Sequence, residues 1–530
     1  MTNKFAASMT VIRRVVAAIG TTLVLGSSSV SAQGQTVTIT EIEFFGNTLV
    51  GDADLNKRFT NYFNRDLTFK ELNELVSHVG FAYREFGYWA AAYLPEQTIS
   101  GSSLKIGIIE AKTGDFAVEF ENERSRITYD DLFKIIMRDQ IQGTPMNIRS
   151  LEYGIKKANS IPGIFVTAEL DEGQDTNDTD VEAYVLDSPI FTGSIVVDNH
   201  LGGDHPGRLG ARLGFDSPMG YGEQFNVNLE KSYQSNAITL TSSLGILEER
   251  ARAGLELGLN KYQIGGDLAD LGLKGDVKTA SFNLSKIDVD PGNVDSPKLK
   301  VSYSRSKAED FALGAKTGSK TTNLLTVDLD WPVFTDTDDN SFFNLQLSGG
   351  IGAVDYRQGS EIYLRDQSSQ KAHGDFAKLN LGISAQRALS ENNFIGLEIN
   401  GQVASKNLDG SQKLTMSGAT ALQSLKSGSL SVDSGIWSKL QLLHNFEEGS
   451  QLFGFIEGGK GNLNHKTWAN WNGGDETLQN SVHAYGVGLG VNLPINDNLS
   501  LELVAAESLD TNLSDQIGSP NYWVELSYNF

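Results

Sequence analysis

Three oxygen-bearing side chains with the spacing of a calcium loop are the first candidates for chemistry. Asp336, Asp338 and Asn340 recur at every second position, as the first ligands of an EF-hand do. Such a loop also needs a glycine at its sharp turn and a glutamate at its last position, but Ser341 and Leu347 occupy those places. The pattern therefore predicts a polar turn and no metal site.

A second candidate is the glycine-rich run Gly486-Val487-Gly488-Leu489-Gly490, which is superficially similar to a dinucleotide-binding loop. A phosphate-binding loop must open a helix, whereas this run lies within an alternating strand pattern. We expect its glycines to face a crowded interior.

The acidic stretch 171–180 lacks EF-hand spacing and predicts a solvated turn. No serine nucleophile elbow is present, so the sequence predicts no enzyme, no cofactor and no metal.

Composition excludes further classes of function. The chain has 530 residues, no cysteine and a net charge of −23. Without thiols there is neither a disulfide framework nor a cysteine-ligated metal site. The acidic balance argues against nucleic acid as a partner.

The first 32 residues have the features of a secretory signal peptide. Lys4, Arg13 and Arg14 precede an apolar stretch, and small residues at 30–32 are suited to cleavage by signal peptidase. We expect the mature chain to begin at Gln33.

The end of the chain alternates between apolar and polar side chains. Val524, Leu526, Tyr528 and Phe530 share one face of a strand, and the final residue is aromatic. Roughly sixteen alternating segments follow residue 190, which predicts a transmembrane antiparallel β-barrel over 188–530. We expect Tyr528 and Phe530 to close the sheet against its first strand and to act as the barrel-assembly signal.

The connections between these segments alternate in length, as short periplasmic turns and long outside loops do. The short ones are 216–222, 289–295, 334–340, 445–450 and 493–498. The long ones include 358–374, 405–433 and 461–480.

Two similar modules, 36–112 and 113–187, precede the barrel. In each, the pattern predicts a strand, two helices and two more strands, the first strand running from Val37 to Phe45. Thr68 and Glu71 form a predicted capping box, and the two helices of the second module are predicted to begin at Thr128 and Asn147.

Short motifs in the modules resemble those of POTRA domains, the periplasmic modules of barrel transporters. The motifs in the first module are Phe45-Gly46-Asn47-Thr48, Tyr83-x-x-x-Gly87-Tyr88, Pro95-Glu96-Gln97 and Ile109-Glu110. Asn159-Ser160-Ile161-Pro162-Gly163-Ile164-Phe165-Val166 and Leu170-Asp171-Glu172-Gly173 are similar to the second POTRA of two-partner secretion transporters. From residue 36 onward, the chain resembles this TpsB class, the ShlB/FhaC/HecB-like haemolysin secretion/activation family.

The resemblance implies an outer-membrane transporter with periplasmic POTRA domains. It would capture one unfolded, β-helical secreted protein and export it through the barrel. The barrel-assembly machinery and outer-membrane lipid would be its other partners. Many relatives carry a plug helix before the first module, for which the residues after Gln33 leave no room.

The resemblance also implies a loop that folds back into the barrel. In the family its tip carries Val-Arg-Gly-Tyr, and the arginine pairs with the aspartate of a Phe-x-Asp-x-Gly strand. Here the tip contains Leu422, Gln423, Ser424 and Leu425, and the strand contains Phe455, Glu457 and Gly459. Both members of the pair are altered, and we expect the side chains of Gln423 and Glu457 to lie within hydrogen-bonding distance.

Two alternatives stay open from the sequence. One is a barrel-assembly factor, although such relatives usually carry more POTRA modules. The other is a passive porin with periplasmic decorations.

Overall fold

The computed structural model describes residues 36–97, 103–122, 125–201, 205–246, 251–264, 272–288, 296–336, 340–475, 477–513 and 520–530. The signal peptide predicted at 1–32 lies outside them. The chain forms two compact units, divided in sequence between Ser188 and Pro189. Among the described residues, no helix has both the length and the apolar character needed to cross a bilayer.

The first module has a three-stranded sheet and a separate two-stranded one. Its elements are β1 (Thr36–Thr38), β2 (Glu41–Phe45), α1 (Asp52–Arg58), β3 (Asp66–Thr68), α2 (Phe69–Glu85), β4 (Ala90–Tyr93) and β5 (Ser103–Glu110). Strand β5 is central, parallel to β2 and antiparallel to β4. The single strand predicted from Val37 to Phe45 is wrong, because β1 leaves the sheet to pair with β3.

Helix α2 supplies much of the core of this module. The Thr68 hydroxyl accepts a hydrogen bond from the Glu71 N–H, and the Glu71 carboxylate accepts one from the Thr68 N–H, so the predicted capping box is confirmed. The buried residues recur at intervals of three and four: Leu72, Leu75, Val76, Val79, Ala82 and Tyr83. Full burial of one such leucine stabilises the fold by about 1.5–3 kcal/mol.

The second module repeats this arrangement. Its elements are β6 (Lys112–Phe120), α3 (Tyr129–Ile136), α4 (Ile148–Ala158), β7 (Ile164–Glu172) and β8 (Asp178–Asp187). Strand β8 is central, parallel to β6 and antiparallel to β7. The two helices begin one residue after the predicted positions, and the side chains of Thr128 and Asn147 cap them, each accepting a hydrogen bond from a first-turn N–H.

The second unit is a closed barrel of sixteen antiparallel strands, in which each strand pairs with the next barrel strand along the chain and the last pairs with the first. Its strands are β9 (Phe191–Asp198), β10 (Arg208–Asp216), β11 (Gln224–Ser232), β12 (Ser235–Ile246), β13 (Ala251–Gln263), β14 (Lys274–Asp288), β15 (Lys298–Ala312), β16 (Ala315–Asp336), β17 (Ser341–Tyr356), β18 (Gly374–Ser390), β19 (Asn393–Ala404), β22 (Ser434–Asn445), β23 (Gln451–Asn462), β24 (Ser481–Pro494), β25 (Leu499–Thr511) and β26 (Asn521–Asn529). The predicted fold class, two αβ modules followed by a barrel, is confirmed.

Two connections in the barrel contain structure of their own. Strands β20 (Leu414–Thr415) and β21 (Ser431–Val432) form a ribbon between β19 and β22. Helix α5 (Glu361–Ser368) lies within the stretch 358–374, which the sequence pattern predicts only as a polar loop. Its eight residues bury only Asp366, so they lack the apolar periodicity that predicts a helix.

Apolar side chains cover the outer face of the barrel. Leu255, Leu257 and Leu259 alternate along β13 and are all exposed, because the period of a strand places every second residue on the same face. Such an apolar outer face is what contact with lipid requires.

The chain closes the barrel with its last residue. Phe530 and Gly193 exchange two main-chain hydrogen bonds of 2.9 and 2.8 Å across β26 and β9. The Phe530 ring covers Gly193, where an added Cβ would lie 2.3 Å from the ring. The predicted pairing of the last strand with the first is therefore confirmed.

Candidate functional site

The connection between β19 and β22 lies against the inner wall of the barrel. Its tip contacts β23 and β26 through Glu457 and Trp523. The neighbours of these residues along the strands, Ile456 and Tyr522, belong to the exposed apolar outer face. Since successive side chains of a strand point to opposite faces, the tip lies in the lumen. We call residues 418–428 the lumen tip.

The lumen tip has its own apolar core. The buried residues shared by the loop and the wall around it are Met416, Ala421, Leu422, Leu425, Leu430, Val432, Trp437, Val482 and Ala484. Leu422 and Leu425 of the predicted motif therefore contribute packing. Gly418 allows the tight turn, because its φ is +106° and an added Cβ would meet Ser427 at 2.5 Å.

Main-chain groups connect the lumen tip to Glu457. The Gln423 N–H donates to Oε2 at 3.0 Å and the Ser424 N–H donates to Oε1 at 2.7 Å, and both bonds are buried. Two adjacent N–H groups thus give one carboxylate the two-point contact that a guanidinium fork would give it.

The expected bond between the side chains of Gln423 and Glu457 is wrong. The Gln423 carboxamide instead donates to the carbonyl of Ala419 at 3.0 Å, within the tip itself. Both oxygens of Glu457 already accept buried main-chain donors, so the side chain of residue 423 is not needed to hold the carboxylate.

Strand β26 holds the same tip through its carbonyl groups. The Trp523 indole N–H donates to the carbonyl of Gln423 at 2.9 Å, and the Asn521 side chain donates to the carbonyl of Ser424 at 2.7 Å. Sequence reasoning missed both residues, because they lie about a hundred positions from their partners and belong to no recognised motif.

The other members of the strand motif shape the wall beneath the tip. An added Cβ on Gly459 would lie 2.6 Å from Met416, so glycine permits the approach of the loop. The Phe455 ring covers Gly488, where a Cβ would lie 2.1 Å from the ring. The glycines of the run 486–490 therefore face a crowded interior, as predicted. Ser424 lies against Gly486, and its buried hydroxyl has no hydrogen-bond partner among the described residues.

A buried aspartate fastens the base of the loop. Asp433 is fully buried and accepts hydrogen bonds from the N–H groups of Leu408 and His465 at 3.1 and 2.8 Å. Lys413 forms an ion pair with it at 3.2 Å. The loop is thus held at its base as well as at its tip.

In the first module, the POTRA-like residues converge on one carboxylate. Glu110 accepts hydrogen bonds from the N–H groups of Thr48 and Leu49 at 2.7 and 2.8 Å and from the Tyr83 hydroxyl at 2.8 Å. Gly46 permits this turn, since its φ is +87° and a Cβ would lie 2.2 Å from the carbonyl oxygen of Ile108.

These contacts alter the pKa values of Glu110 and Tyr83. Partial burial raises the pKa of Glu110, but the hydrogen bonds to its charged form outweigh burial and leave the pKa below its usual value. Burial, followed by the bond to Glu110, raises the pKa of the Tyr83 phenol. The cluster is therefore built around a charged carboxylate.

One group of side chains in the described residues has the spacing of metal ligands: Asp198, His200 and Glu525 lie with their ligand atoms within 4.8 Å of one another. However, Arg208 approaches both oxygens of Asp198 at 3.0–3.2 Å through Nε. A guanidinium in that position repels a cation, so the arrangement fits an ion pair better than a metal site.

Comparison with known protein families gives two matches that together span most of the chain. Residues 37–111 match the POTRA domain of ShlB type, and residues 177–493 match the haemolysin secretion/activation protein family ShlB/FhaC/HecB. The heme/hemopexin transporter protein HuxB of Haemophilus influenzae strain 86-028NP is 23% identical over 494 residues, covering 89% of this chain and 83% of that protein. The outer membrane transporter CdiB of Dickeya dadantii strain 3937 is 22% identical, covering 77% of this chain and 73% of that protein.

Solved structures show the same fold. CdiB from Escherichia coli superposes with a TM-score of 0.66 at 17% identity, covering 96% of this chain and 93% of that one. BamA from Haemophilus ducreyi lacking POTRA domains 1–3 gives a TM-score of 0.57 at 12% identity, covering 94% and 100%. With the barrel, the POTRA modules and a family match over more than half its length, the chain belongs to the ShlB/FhaC/HecB haemolysin secretion/activation family and is an outer-membrane transporter of the two-partner secretion type.

Proposed function

We propose that the lumen tip gates the export of one large secreted protein in an unfolded state. The observation that carries this proposal is the way the tip is attached. Glu457, Trp523 and Asn521 hold it by hydrogen bonds that belong to no strand ladder. The tip can therefore leave the lumen without breaking the barrel wall.

The barrel wall opposite the lumen tip offers a polar route for the client. Strand β16 lies eight strands from β26 in either direction around the barrel. Asp328 and Asp330 lie on β16, on the face opposite the exposed Val327. They accept hydrogen bonds from Ser348 and Asn344 of β17, respectively. We propose that the client passes along this wall, since such groups can exchange hydrogen bonds with an extended backbone.

The periplasmic modules would capture the client at their sheet edges, which are available for β-augmentation. The order of strands leaves β4 at an edge of the first module and β7 at an edge of the second. In the first module, the carboxamide of Gln97 occupies both main-chain groups of Lys105, a residue of the central strand β5, at 2.7 and 2.8 Å. Asn159 does the same to Val166 at 2.7 Å for both groups. We propose that client strands pair elsewhere on these edges.

We infer the remaining details of this function from membership of the family. We propose POTRA boundaries of 36–112 and 113–187, a barrel over 188–530 and a β-helical client. The barrel-assembly machinery would recognise Tyr528 and Phe530. Outer-membrane lipid would contact the apolar outer face, and no nucleic acid, metal or cofactor would take part.

Removal of residues 36–187 tests whether the modules are needed to capture the client but not to insert the barrel. The closing contact between Phe530 and Gly193 lies wholly within the barrel. We therefore expect the truncated protein to remain heat-modifiable in the outer membrane while the client accumulates in the periplasm. Continued secretion by the truncated protein would refute capture by the modules.

The same experiment separates the alternatives. Loss of unrelated outer-membrane barrels on truncation would instead identify an assembly factor. A porin would show the same steady conductance with and without the modules. Deletion of the whole porin would not affect secretion of any large protein.

A further inference from the structure

Basic side chains cluster on one part of the barrel exterior, although the chain as a whole has a net charge of −23. Two carboxylates, Asp276 and Glu309, are cross-strand neighbours among them. All the basic side chains of this cluster are exposed on strands β13 to β16, and we call them the basic patch: Lys261, Lys274, Lys278, Arg305, Lys307 and Lys316. The cations outnumber the carboxylates, so the patch is strongly basic in an acidic protein.

The basic patch faces away from the lumen. On β13, Lys261 continues the alternation of the exposed Leu257 and Leu259, because every second residue of a strand lies on the same face. Cross-strand pairing extends this face to the neighbouring strands, since Leu259 is opposite Lys278 and Lys278 is opposite Lys307. The patch therefore belongs to the apolar outer face that contacts lipid.

The basic patch lies toward the outer end of that face. The chain enters β9 from the periplasmic modules and the barrel strands alternate in direction, so β13 and β15 run outward. Lys261 and Lys307 lie in the later parts of these two strands. Phe282 and Tyr303, which are opposite each other and exposed, lie on the periplasmic side of the patch. The patch thus begins where the apolar band ends, at the level of the lipid headgroups of the outer leaflet.

Like charges are opposite each other within the basic patch. Lys278 and Lys307 are direct cross-strand neighbours, an arrangement that destabilises strand pairing. Glu309 forms ion pairs with Lys307 and Lys316, each at 2.8 Å. No carboxylate of the described residues forms an ion pair with Lys278 or Arg305. An anion from outside the chain would neutralise these two cations and relieve the repulsion.

Three cations of the basic patch are close enough to bind one anionic group together. The Cβ atoms of directly opposite residues such as Lys278 and Lys307 are about 4.5–5.5 Å apart, and Arg305 lies two residues from Lys307 on the same face. A guanidinium contacts two oxygens of a phosphate at once, and an ammonium adds a point charge. The other cations lie on the same and the adjacent strands, so a second phosphate of the same molecule also finds partners.

We propose that the basic patch binds the phosphorylated headgroup of a glycolipid in the outer leaflet, of the lipid A type. Its phosphates neutralise Lys278 and Arg305, and its acyl chains lie along the apolar outer face beside Phe282 and Tyr303. Clusters of basic residues at a membrane surface recognise anionic headgroups in this way. A lipid with a single phosphate would satisfy fewer of the cations. The site depends only on the outer-membrane location of the barrel and not on the export route.

Heat modifiability of the full-length protein in an uncharged detergent tests the proposal. The midpoint would be measured with added diphosphorylated lipid A and, separately, with the same lipid after removal of its phosphates. A ligand that binds only the folded state raises the midpoint. We expect the phosphorylated lipid to raise it by several degrees and the dephosphorylated lipid to leave it nearly unchanged. Equal shifts with the two lipids, or no shift with either, would overturn the proposal.

A double variant locates the binding at the basic patch. Lys278→Gln combined with Arg305→Gln should weaken the binding of lipid A by roughly tenfold or more, because it removes two cations near the headgroup. The matched control is Lys460→Gln combined with Arg387→Gln, which removes one lysine and one arginine that are exposed on the same outer face, on β23 and near the periplasmic end of β18. An equal loss of binding in the two double variants would contradict the proposal.

The midpoint without lipid separates binding from a purely structural role. Lys278→Gln relieves the repulsion with Lys307, so the patch variant should be at least as stable as the parent in lipid-free detergent. With lipid A present, the parent should become the more stable of the two. A patch variant whose midpoint lies below that of the parent by the same amount with and without lipid A would refute binding at these residues.

Phosphatidylglycerol tests which kind of lipid the basic patch selects. This lipid is anionic but carries one phosphate, so at the same phosphate concentration we expect a smaller shift of the midpoint than lipid A gives. An equal or larger shift would overturn the assignment to a phosphorylated glycolipid. Mass spectrometry of protein extracted from outer membranes provides a second measurement, in which the parent and the control variant should retain more lipid A than the patch variant does. Equal retention by all three proteins would contradict the proposal.

Discussion

The carboxylate of Glu457 accepts its hydrogen bond from the main-chain N–H of Gln423, at 3.0 Å, and not from the side chain of that residue. The next N–H, from Ser424, completes the contact at 2.7 Å. Attachment of the lumen tip therefore depends on the carboxylate and on the conformation of the tip more than on the side chain at 423.

Glu457→Ala should release the tip. It leaves two buried N–H groups without an acceptor, at a cost of about 1–3 kcal/mol each. We expect faster protease cleavage within 418–428 and larger open-channel noise in planar bilayers. Glu398→Ala is the matched control, because this inner-wall carboxylate pairs with Lys439. Equal behaviour of the two variants would contradict the role of Glu457.

Gln423→Ala should have a smaller effect than Glu457→Ala. The substitution removes one hydrogen bond within the tip, worth about 1 kcal/mol, and leaves both donors to Glu457 in place. The same protease and conductance measurements give the ranking. If Gln423→Ala loosens the tip as much as Glu457→Ala does, the main-chain contact is not what holds it.

The sequence predicts the periodic features of this protein well. Alternation predicts the barrel and its closing strand, and the Thr68–Glu71 spacing predicts a cap, because strand period and capping are local properties. The position of the lumen tip follows from resemblance. The contacts of Trp523 and Asn521 could not be predicted, because they join distant side chains to carbonyl groups that every residue carries.

Gly488→Ala should destabilise the barrel wall far more than Gly454→Ala. An added Cβ on Gly488 would lie 2.1 Å from the Phe455 ring, whereas on Gly454 its nearest neighbour would be 3.8 Å away. Forcing the ring aside in a packed interior typically costs about 1–3 kcal/mol. The midpoint of heat modifiability measures the difference. Equal midpoints would show that the Phe455 ring can move freely.

Acid should weaken the first periplasmic module through Glu110. The folded-state pKa of Glu110 lies below the usual value of 4.5, so its contribution is fully present above that value and is lost as the pH falls through the folded-state pKa. Glu110→Gln keeps one oxygen for the three donors but removes the negative charge, so it should lower stability at neutral pH by about 1 kcal/mol, because hydrogen bonds to a charged group are stronger, and it should reduce the sensitivity to acid.

Pulse proteolysis of the modules in the full-length protein measures this stability. Glu43→Gln is a suitable control, because Glu43 is well exposed and forms a surface ion pair with Lys105 at 3.5 Å. An acid response in Glu110→Gln equal to that of the parent would show that another group is responsible.

Cross-linking the lumen tip to the wall tests the export account most directly. Ser424→Cys and Asn521→Cys would place one thiol on the tip and one on the wall, in a chain without other cysteines, at two residues joined by the 2.7 Å hydrogen bond from the Asn521 side chain to the Ser424 carbonyl. Joined by a disulfide or a short thiol cross-linker, the protein should stay heat-modifiable but stop secreting its client, and reduction of the disulfide should restore secretion. Undiminished secretion by the fully cross-linked protein would show that the tip does not have to move, which would contradict gating by this loop.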